Sequence, residues 1–362
     1  MKIGILTYHR THNYGGCLQA FATRIVLEQM GNDVYYVDYW PEYHRKTYSL
    51  FSFANLMHTP GIKRKIQIII AQILYGANKK KRAQKFEHFI STHIEPRCRG
   101  IDERYDAVVY GSDQIWRKQH SLNGYNPVYF ANNSILSKRH IAFSASMGIL
   151  PQNESEKLEI KRLLGKFNDI SVRESELLEF VKGVGVQNAV LTLDPTLLLP
   201  KQVWLNEFSI KKENNKQKYV LVYSLHEVFN NKSIKVFAKN KGCVVKTIYG
   251  SANHKESSSE INTAGPQEFL SLIYNADYVF SSSFHGLVFS LIFEKEFFVS
   301  FDSNAGRALS LLELVGLQDR FIAPHADVPS ENKTIDFLNI KSRLKPLRDF
   351  SISYLSHSLY GK

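Results

Sequence analysis

The sequence has few cysteines and no long apolar run, and both absences narrow the classes of protein it can belong to. Only three cysteines occur in 362 residues, and they are widely separated, at Cys17, Cys98 and Cys243. This pattern excludes a disulfide scaffold and a clustered zinc site, and it favours a reducing compartment. The longest apolar stretch, residues 66–75, is well short of the roughly 20 residues that span a bilayer. Since the amino terminus also lacks a secretory-signal pattern, we expect a cytoplasmic protein, with at most peripheral contact at the inner face of a membrane.

Several ligand-binding motifs are missing as well. No H-E-x-x-H or Asp-x-Asp pattern occurs, so we expect no metal, and without a G-x-G-x-x-G or P-loop the sequence indicates no nucleotide specificity. Lys plus Arg exceed Asp plus Glu by 46 − 34 = 12, which favours anionic partners such as phosphorylated metabolites, nucleic acid or an acidic membrane. A nucleic-acid-binding protein is the alternative from another class. The dispersed basic residues and the lack of RNP, KH or zinc-finger patterns argue against it, and we expect no nucleic-acid partner.

Short apolar runs alternate with longer helical patterns, which is typical of βαβ units and parallel sheets. We predict an α/β fold with two Rossmann-like domains that face a cleft. The domains are residues 1–205 and 216–335, followed by a carboxyl-terminal helix at 336–362, and the polar stretch 202–218 is the connection. Ligands are expected where the carboxyl ends of strands meet the amino ends of helices.

The predicted elements follow this alternation in both halves. In the first half, strands are expected at residues 3–8, 34–39, 107–110, 141–144, 170–172 and 191–193, with helices at 16–30 and 154–167. In the second half, strands are expected at 219–223, 244–248, 278–281 and 297–301, with helices at 231–241, 267–274, 287–293 and 307–315.

Residues 41–100 interrupt the first domain. Basic clusters at 63–65 and 79–82 bracket the apolar stretch 66–75. A basic amphipathic helix on an anionic membrane has this pattern. The favoured alternative is a helical insertion that packs on the domain with a solvated basic rim.

Two junctions in the first half offer polar groups at strand ends. Gly15 and Gly16 enter the first helix, where free amides and the helix dipole attract an anion, although a turn that merely joins strand to helix is equally consistent. After the strand at 107–110, polar residues and Trp116 suit hydrogen bonding to a sugar and stacking against it, while an N-cap is the structural alternative. The candidate acceptor-binding residues are Asn13, Gly15, Gly16, Gln19, Ser112, Asp113, Gln114 and Trp116.

The later junctions carry the ionisable groups. Arg173 follows a short buried strand, and arginine binds carboxylate or phosphate through planar, bidentate contacts. A surface arginine paired to a neighbouring glutamate is equally consistent with this position. A buried strand then delivers three serines, Phe284 and His285 to the start of an apolar helix. Histidine titrates near neutral pH and is a common general acid or base, while a histidine that only caps the helix or fills the core is the alternative. Arg307 precedes another helix on the same expected rim.

Four segments in order resemble the polysaccharide pyruvyl transferase family. They are KIGILTYHRTHNYGGCLQA, YDAVVYGSDQIW, DISVRESE followed by LDPTLLL, and NADYVFSSSFHGLVFSL. The resemblance covers most of residues 1–315 but not the insertion at 41–100. It implies a fold similar to the GT-B glycosyltransferases, with phosphoenolpyruvate as co-substrate and no cofactor. The implied reaction moves a pyruvyl group onto sugar hydroxyls of a cell-surface glycan or exopolysaccharide, as a cyclic ketal, and releases phosphate.

The resemblance also implies roles for individual residues. Arg173, Ser283, His285 and Arg307 match positions that bind the donor, and we expect His285 to be the proton donor. Many members carry arginine where this chain has Ser283, so that contact is missing here or supplied by another residue, with Arg307 the best candidate. The implied partners are phosphoenolpyruvate and a sugar or lipid-linked oligosaccharide acceptor. A GT-B-type glycosyltransferase with a nucleotide-sugar donor is the enzymatic alternative.

Overall fold

In a computed structural model of this protein, the described strands form two parallel sheets. The structure describes residues 1–47, 61–214, 217–302, 305–329 and 333–361. Within them the first sheet has seven strands in the order β3-β2-β1-β4-β5-β6-β7. Its strands are β1 (Lys2–Leu6), β2 (Asp33–Val37), β3 (Cys98–Arg99), β4 (Arg104–Tyr110), β5 (Leu136–Ala145), β6 (Asp169–Val172) and β7 (Val190–Leu191).

The helices of this half cover both faces of the sheet and include two from the insertion. They are α1 (Tyr14–Gln29), α2 (Glu42–Thr47), α3 (Ile62–His93), α4 (Glu154–Leu164), α5 (Ser175–Gly183), α6 (Pro195–Leu198) and α7 (Lys201–Glu207). Residues 48–60 of the predicted insertion lie outside the described residues. In the described part of the chain, no helix is both long and apolar enough to cross a membrane.

The second sheet has five described strands in the order β10-β9-β8-β11-β12. These strands are β8 (Tyr219–Ser224), β9 (Val244–Tyr249), β10 (Glu260–Ile261), β11 (Tyr278–Ser281) and β12 (Glu296–Val299). The helices that follow are α8 (Asn231–Asn240), α9 (Pro266–Asn275), α10 (Phe284–Ile292), α11 (Gly306–Val315) and α12 (Phe337–Tyr360). Two parallel α/β sheets confirm the predicted fold class.

In each sheet, the pairing register of the strands places their carboxyl ends at the same edge. In the first sheet Leu6 pairs with Tyr110, at the ends of β1 and β4. In the second, Ser281 at the end of β11 pairs with Tyr223 of β8. The buried apolar residues inside these strands form the core, and one continuous cluster includes residues of both sheets. The junction loops after these strands therefore lie where a Rossmann-like fold binds ligands.

Several features differ from the predicted elements or go beyond them. The stretch 202–218, expected as an irregular connection, contains most of α7, because Trp204 supplies an apolar anchor that is fully buried. The last helix, α12, packs back on the first domain, where Tyr354 donates a hydrogen bond to the carbonyl of Ala142 (3.0 Å). Helix α10 begins at Phe284, three residues earlier than expected, so His285 lies in its first turn.

Candidate functional site

A serine turn between β11 and α10 presents His285 to the cleft. The hydroxyl of Ser281 accepts a hydrogen bond from the backbone N–H of Ser283 (3.1 Å), and Ser283 is the N-cap residue of α10. A Cβ atom at Gly286 would lie 1.9 Å from the Ser281 hydroxyl, so the turn has no room for a side chain there. Both Ser283 and His285 line the cleft between the two domains.

Helix α1 of the first domain packs directly on the His285 ring. A Cβ atom at Gly15 would lie 2.0 Å from Nδ1 of His285, so only glycine allows this approach. The neighbouring Gly16 donates its N–H to the Asn13 side chain (3.0 Å), which is the N-cap of α1. Both glycines are buried, Gly15 against the His285 ring and Gly16 beside Asp113 of the cleft lining.

Asp194 lies between Arg173 and His285, and it was not among the predicted site residues. Its Oδ2 accepts hydrogen bonds from Nη1 of Arg173 (2.5 Å) and from the Ser112 hydroxyl (3.2 Å). The same oxygen lies 3.7 Å from Nε2 of His285. The other oxygen caps α6 through the N–H of Thr196 (3.0 Å). Its sequence signal was the Asp-Pro-Thr pattern, an N-cap followed by proline at the first helical position.

The charges around Asp194 keep it ionised although it is fully buried. Burial alone would raise the pKa of this carboxyl, but His285 and Arg173 together hold the pKa well below its usual range. A buried carboxylate is tolerated only when it is paired and hydrogen-bonded. Asp194 therefore joins Arg173 of the first domain to His285 of the second.

Two arginines lie over one aromatic ring beside this carboxylate. The guanidinium carbon of Arg173 is 5.1 Å and that of Arg307 is 5.5 Å from the ring centroid of Phe284. Arg307 lines the cleft, whereas the Arg173 side chain is only 1% exposed and lies behind the wall. Burial, and then the charge of Arg173, lower the pKa of Arg307 to about 10.

Three carboxyl groups lie within 4 Å of the two arginines. Asp113 and Asp194 contact Arg173, at 3.7 Å and 2.5 Å. Glu174 lies beside Arg307, with Oε1 at 3.9 Å from Nε. Burial raises the pKa of Glu174, although both arginines oppose that shift.

Among the described residues of this cluster, four buried nitrogens have no hydrogen-bond partner: Nε and Nη2 of Arg173, Nε of Arg307 and Nε2 of His285. A buried oxygen beside them, Oε2 of Glu174, is unpaired as well. Unpaired buried donors favour binding of a group that accepts hydrogen bonds, such as an anion.

The acceptor residues predicted in the first domain divide into two groups. Asn13, Asp113 and Gln114 line the cleft, which has a cavity volume of about 540 Å³. Ser112 is buried, and its hydroxyl contacts Asp194 as described above.

Gln19 and Trp116 are corrected by the structure. Gln19 is buried and holds the junction together, because its Oε1 accepts the N–H of Ser112 (3.0 Å). Trp116 is fully buried, stacks on Phe130 and donates its indole N–H to the carbonyl of Tyr129 (3.0 Å). It therefore offers no face to a sugar.

Other residues that line the cleft were not predicted. From the first domain they include the aromatic rings Tyr8 and Tyr43 together with His44 and Arg117. His226 lines it from the second domain. A sequence pattern does not reveal them, because Tyr43 and His44 belong to the insertion and reach the cleft only through its fold.

One cluster outside the cleft has metal-ligand chemistry. Atoms of His9, Asp38 and Cys98 lie within 4.8 Å of one another. The guanidinium of Arg10 already donates to Asp38 (3.0 Å) and neutralises it. Burial also raises the pKa of the Cys98 thiol to about 11, which disfavours the thiolate that a metal requires. The cluster therefore fits an ion pair beside a neutral thiol better than a metal centre.

Comparison with known proteins adds a family match. A family model described as polysaccharide pyruvyl transferase matches residues 13–302. No curated protein matches this chain.

Many solved structures are similar to this chain at low sequence identity. The UDP-GlcNAc 2-epimerase of Neisseria meningitidis is 12% identical, with 99% of this chain and 94% of that chain covered and a TM-score of 0.46. That of Methanocaldococcus jannaschii is 12% identical, with 96% and 93% covered and a TM-score of 0.45. The glycosyltransferase SnogD from Streptomyces nogalater is 13% identical, with 98% and 95% covered and a TM-score of 0.37.

Proposed function

This chain belongs to the polysaccharide pyruvyl transferase family, and we propose that it transfers the pyruvyl group of phosphoenolpyruvate to two hydroxyls of a glycan. The product is a cyclic pyruvate ketal, and inorganic phosphate is released. The acceptor is a sugar or a lipid-linked oligosaccharide of a cell-surface polysaccharide or exopolysaccharide.

The observation that supports this donor most strongly is the pair of unpaired nitrogens on Arg307 and His285 at the cleft, with the Arg173 guanidinium buried behind them. Phosphoenolpyruvate is small and carries both a carboxylate and a phosphate, so it can accept hydrogen bonds from several such donors at once. Burial makes each contact stronger than it would be in water. Burial and the charge of Arg173 disfavour the charged form of Arg307 and lower its pKa. An anion bound beside this arginine would stabilise the charged form.

In the proposed reaction, His285 gives its proton to the methylene carbon of the donor. The former double bond becomes a methyl group and a cation-like carbon, which a sugar hydroxyl attacks. A second hydroxyl then displaces phosphate from the same carbon. Of the two protons that the hydroxyls lose, one restores His285 and the other leaves with phosphate.

Asp194 has a positioning role in this scheme. Its carboxylate lies 3.7 Å from Nε2 of His285 and helps to fix the orientation of the ring. It also accepts a hydrogen bond from Arg173 and so orients this guanidinium, which is buried behind the cleft wall. Asp194 thus acts through these two residues rather than on the substrate.

The acceptor is assigned to the first-domain side of the cleft. Asn13, Asp113 and Gln114 offer hydrogen bonds there, and Tyr8 and Tyr43 offer aromatic faces in place of the buried Trp116. Ser283, where many members of the family have arginine, leaves one donor contact to another residue. We assign that contact to Arg307, which lines the cleft next to it.

A ligand-dependent melting experiment tests the donor. Phosphoenolpyruvate at a hundred times its dissociation constant would add about 2.7 kcal/mol to stability, which raises the melting temperature by several degrees. Uridine or guanosine diphosphate should give no such shift. Protection by a nucleotide and not by phosphoenolpyruvate would instead indicate a nucleotide-sugar glycosyltransferase, and strongly salt-dependent binding of random DNA or RNA would indicate the nucleic-acid alternative.

A further inference from the structure

Helix α3 consists of two parts with opposite surroundings. Its carboxyl-terminal part is packed into the protein, with Phe86 and Ile90 buried. Arg82 is buried as well, and its Nη1 donates to the Tyr14 hydroxyl (2.7 Å). Both of its terminal nitrogens also reach second-domain carbonyls, such as that of Gly250 (3.2 Å). Arg82 is therefore an anchor between the domains, which corrects the sequence-based placement of this residue in a solvated basic cluster.

The amino-terminal part of α3 leaves a row of large aliphatic side chains uncovered by the described residues. At 100° per residue, these positions fall within a sector of about 140° on one side of the helix, over a length of about 18 Å. The six side chains are between 43% and 78% exposed, and we call them the isoleucine face: Ile62, Ile66, Ile69, Ile70, Ile73 and Leu74. Exposed apolar side chains that are contiguous in this way indicate an interaction surface.

The charged residues of the helix around this face are all basic. Residues 61–81 contain six lysines and arginines and no aspartate or glutamate. Lys63 lies at the beginning of the face, and Lys80 and Lys81 follow its end, all three exposed. A partner that covers the face must therefore be both apolar and negatively charged.

We propose that the isoleucine face binds an anionic lipid bilayer. The helix would lie in the plane of the interface, with the isoleucines among the acyl chains and the lysines at the level of the lipid phosphates. The face is too short to span a bilayer, which requires about 20 apolar residues. A nucleic acid satisfies the lysines but offers no apolar medium for the isoleucines, so the combination of both features favours lipid.

The buried part of α3 connects this surface to the cleft. Arg82 binds Tyr14, and the next residue, Gly15, packs on His285. A bilayer bound at the isoleucine face would thus be attached through one rigid helix to the domain wall that holds the site. The proposal concerns binding only, and it does not depend on phosphoenolpyruvate being the donor.

Sedimentation with lipid vesicles tests the proposal on the full chain without any substrate. Vesicles of phosphatidylcholine mixed equally with phosphatidylglycerol should bind the protein at least tenfold more tightly than vesicles of phosphatidylcholine alone. The triple variant Ile66→Gln/Ile70→Gln/Ile73→Gln should lose this binding at least tenfold and keep the melting temperature. Its matched control, Leu158→Gln/Val236→Gln/Leu338→Gln, changes equally exposed apolar residues on other helices and should bind as the unmodified protein does.

A second pair of variants tests the lysines. Neutralising Lys63, Lys80 and Lys81 to Gln should weaken binding about a hundredfold, because each lysine near an anionic surface contributes about 1 kcal/mol. Neutralising Lys232, Lys235 and Lys239 on α8 should have little effect. Equal binding to neutral and anionic vesicles, or full binding by the isoleucine variant, would overturn the proposal.

Two further outcomes would assign the face to another occupant. A large fall in the melting temperature of the isoleucine variant would show that the chain itself covers the face. A dimer of the unmodified protein that the isoleucine variant abolishes, seen by sedimentation velocity, would show that a second copy covers it.

Discussion

Oδ2 of Asp194 lies 3.7 Å from Nε2 of His285, so a fully buried carboxylate of one domain faces an imidazole delivered by the other. The same oxygen accepts the hydrogen bond of Arg173. This pair therefore joins the two domains beside the cleft.

Replacing Asp194 by Asn should lower turnover more than it lowers the affinity for the donor. Asparagine keeps the size of the side chain but removes the charge that lies beside His285 and Arg173, so both side chains should lose their present orientation. The measurements are phosphate release, calorimetric titration with phosphoenolpyruvate and the melting temperature. A variant with a lower melting temperature but an unchanged kcat would indicate a purely structural role for Asp194.

Arg307 should determine affinity for the donor. Loss of charge-assisted hydrogen bonds should raise the dissociation constant of phosphoenolpyruvate about tenfold to a hundredfold in Arg307→Gln. Arg307→Lys keeps the charge but lacks the planar donor group of arginine. Its dissociation constant for phosphoenolpyruvate should lie between those of the unmodified protein and of Arg307→Gln. Calorimetric titration measures this directly, with Arg117→Gln, at another position of the cleft, as the control. Unchanged binding by Arg307→Gln would remove this arginine from the donor site.

Gly15→Ala should impair turnover without unfolding the protein. The added methyl group would meet the His285 ring at 2.0 Å, so the ring must move out of its present position. We expect kcat to fall at least tenfold, consistent with the sensitivity of catalysis to small displacements. Gly183→Ala is the matched control, because a Cβ atom there meets nothing within 4 Å. Normal turnover by Gly15→Ala would show that this packing does not hold the ring.

His44 should make the protein less stable in mild acid. Burial, only partly opposed by Asp113, lowers the pKa of His44 to about 4. The unfolded chain therefore takes up a proton near pH 6.5 that the folded protein does not, and stability is lost as pH falls from 6.5 towards 4. Between about pH 7.5 and about pH 5, this residue accounts for about 2 kcal/mol of unfolding free energy.

Thermal unfolding at these two pH values measures the effect. The melting temperature of His44→Gln should decrease less in acid than that of the unmodified protein. His226→Gln changes a histidine on the opposite side of the cleft and serves as the control. An identical decrease in all three proteins would contradict the assignment to His44.

The alternation of apolar runs was sufficient to predict both sheets, because strand burial leaves a strong pattern in sequence. The motif after β11 placed His285 correctly at a helix start, since the serine turn and Gly286 are local features. Trp116 is a residue for which this reasoning gave the wrong role. A strand followed by polar residues and an aromatic fits a sugar site and a core anchor equally well, and only the neighbour Phe130 decides between them.

For a related reason Asp194 was not predicted, and Gly15 was predicted as an acceptor residue and not as the residue that packs on His285. Each acts through a partner that is distant in sequence, and no local pattern encodes the approach of two domains. Arg82 is a similar case, because four consecutive basic residues predict a solvated cluster, yet one of the four is buried between domains. Long-range contacts of this kind require the structure.

The most direct test of the account is the kinetics of His285→Gln, with donor binding measured on the same preparation. If the imidazole gives its proton to the donor within a preformed cationic site, kcat should fall by about 10²–10⁴-fold. The dissociation constant of phosphoenolpyruvate should change by less than about tenfold, because Arg173 and Arg307 supply most of the charge. A near-normal kcat in His285→Gln would contradict the central claim.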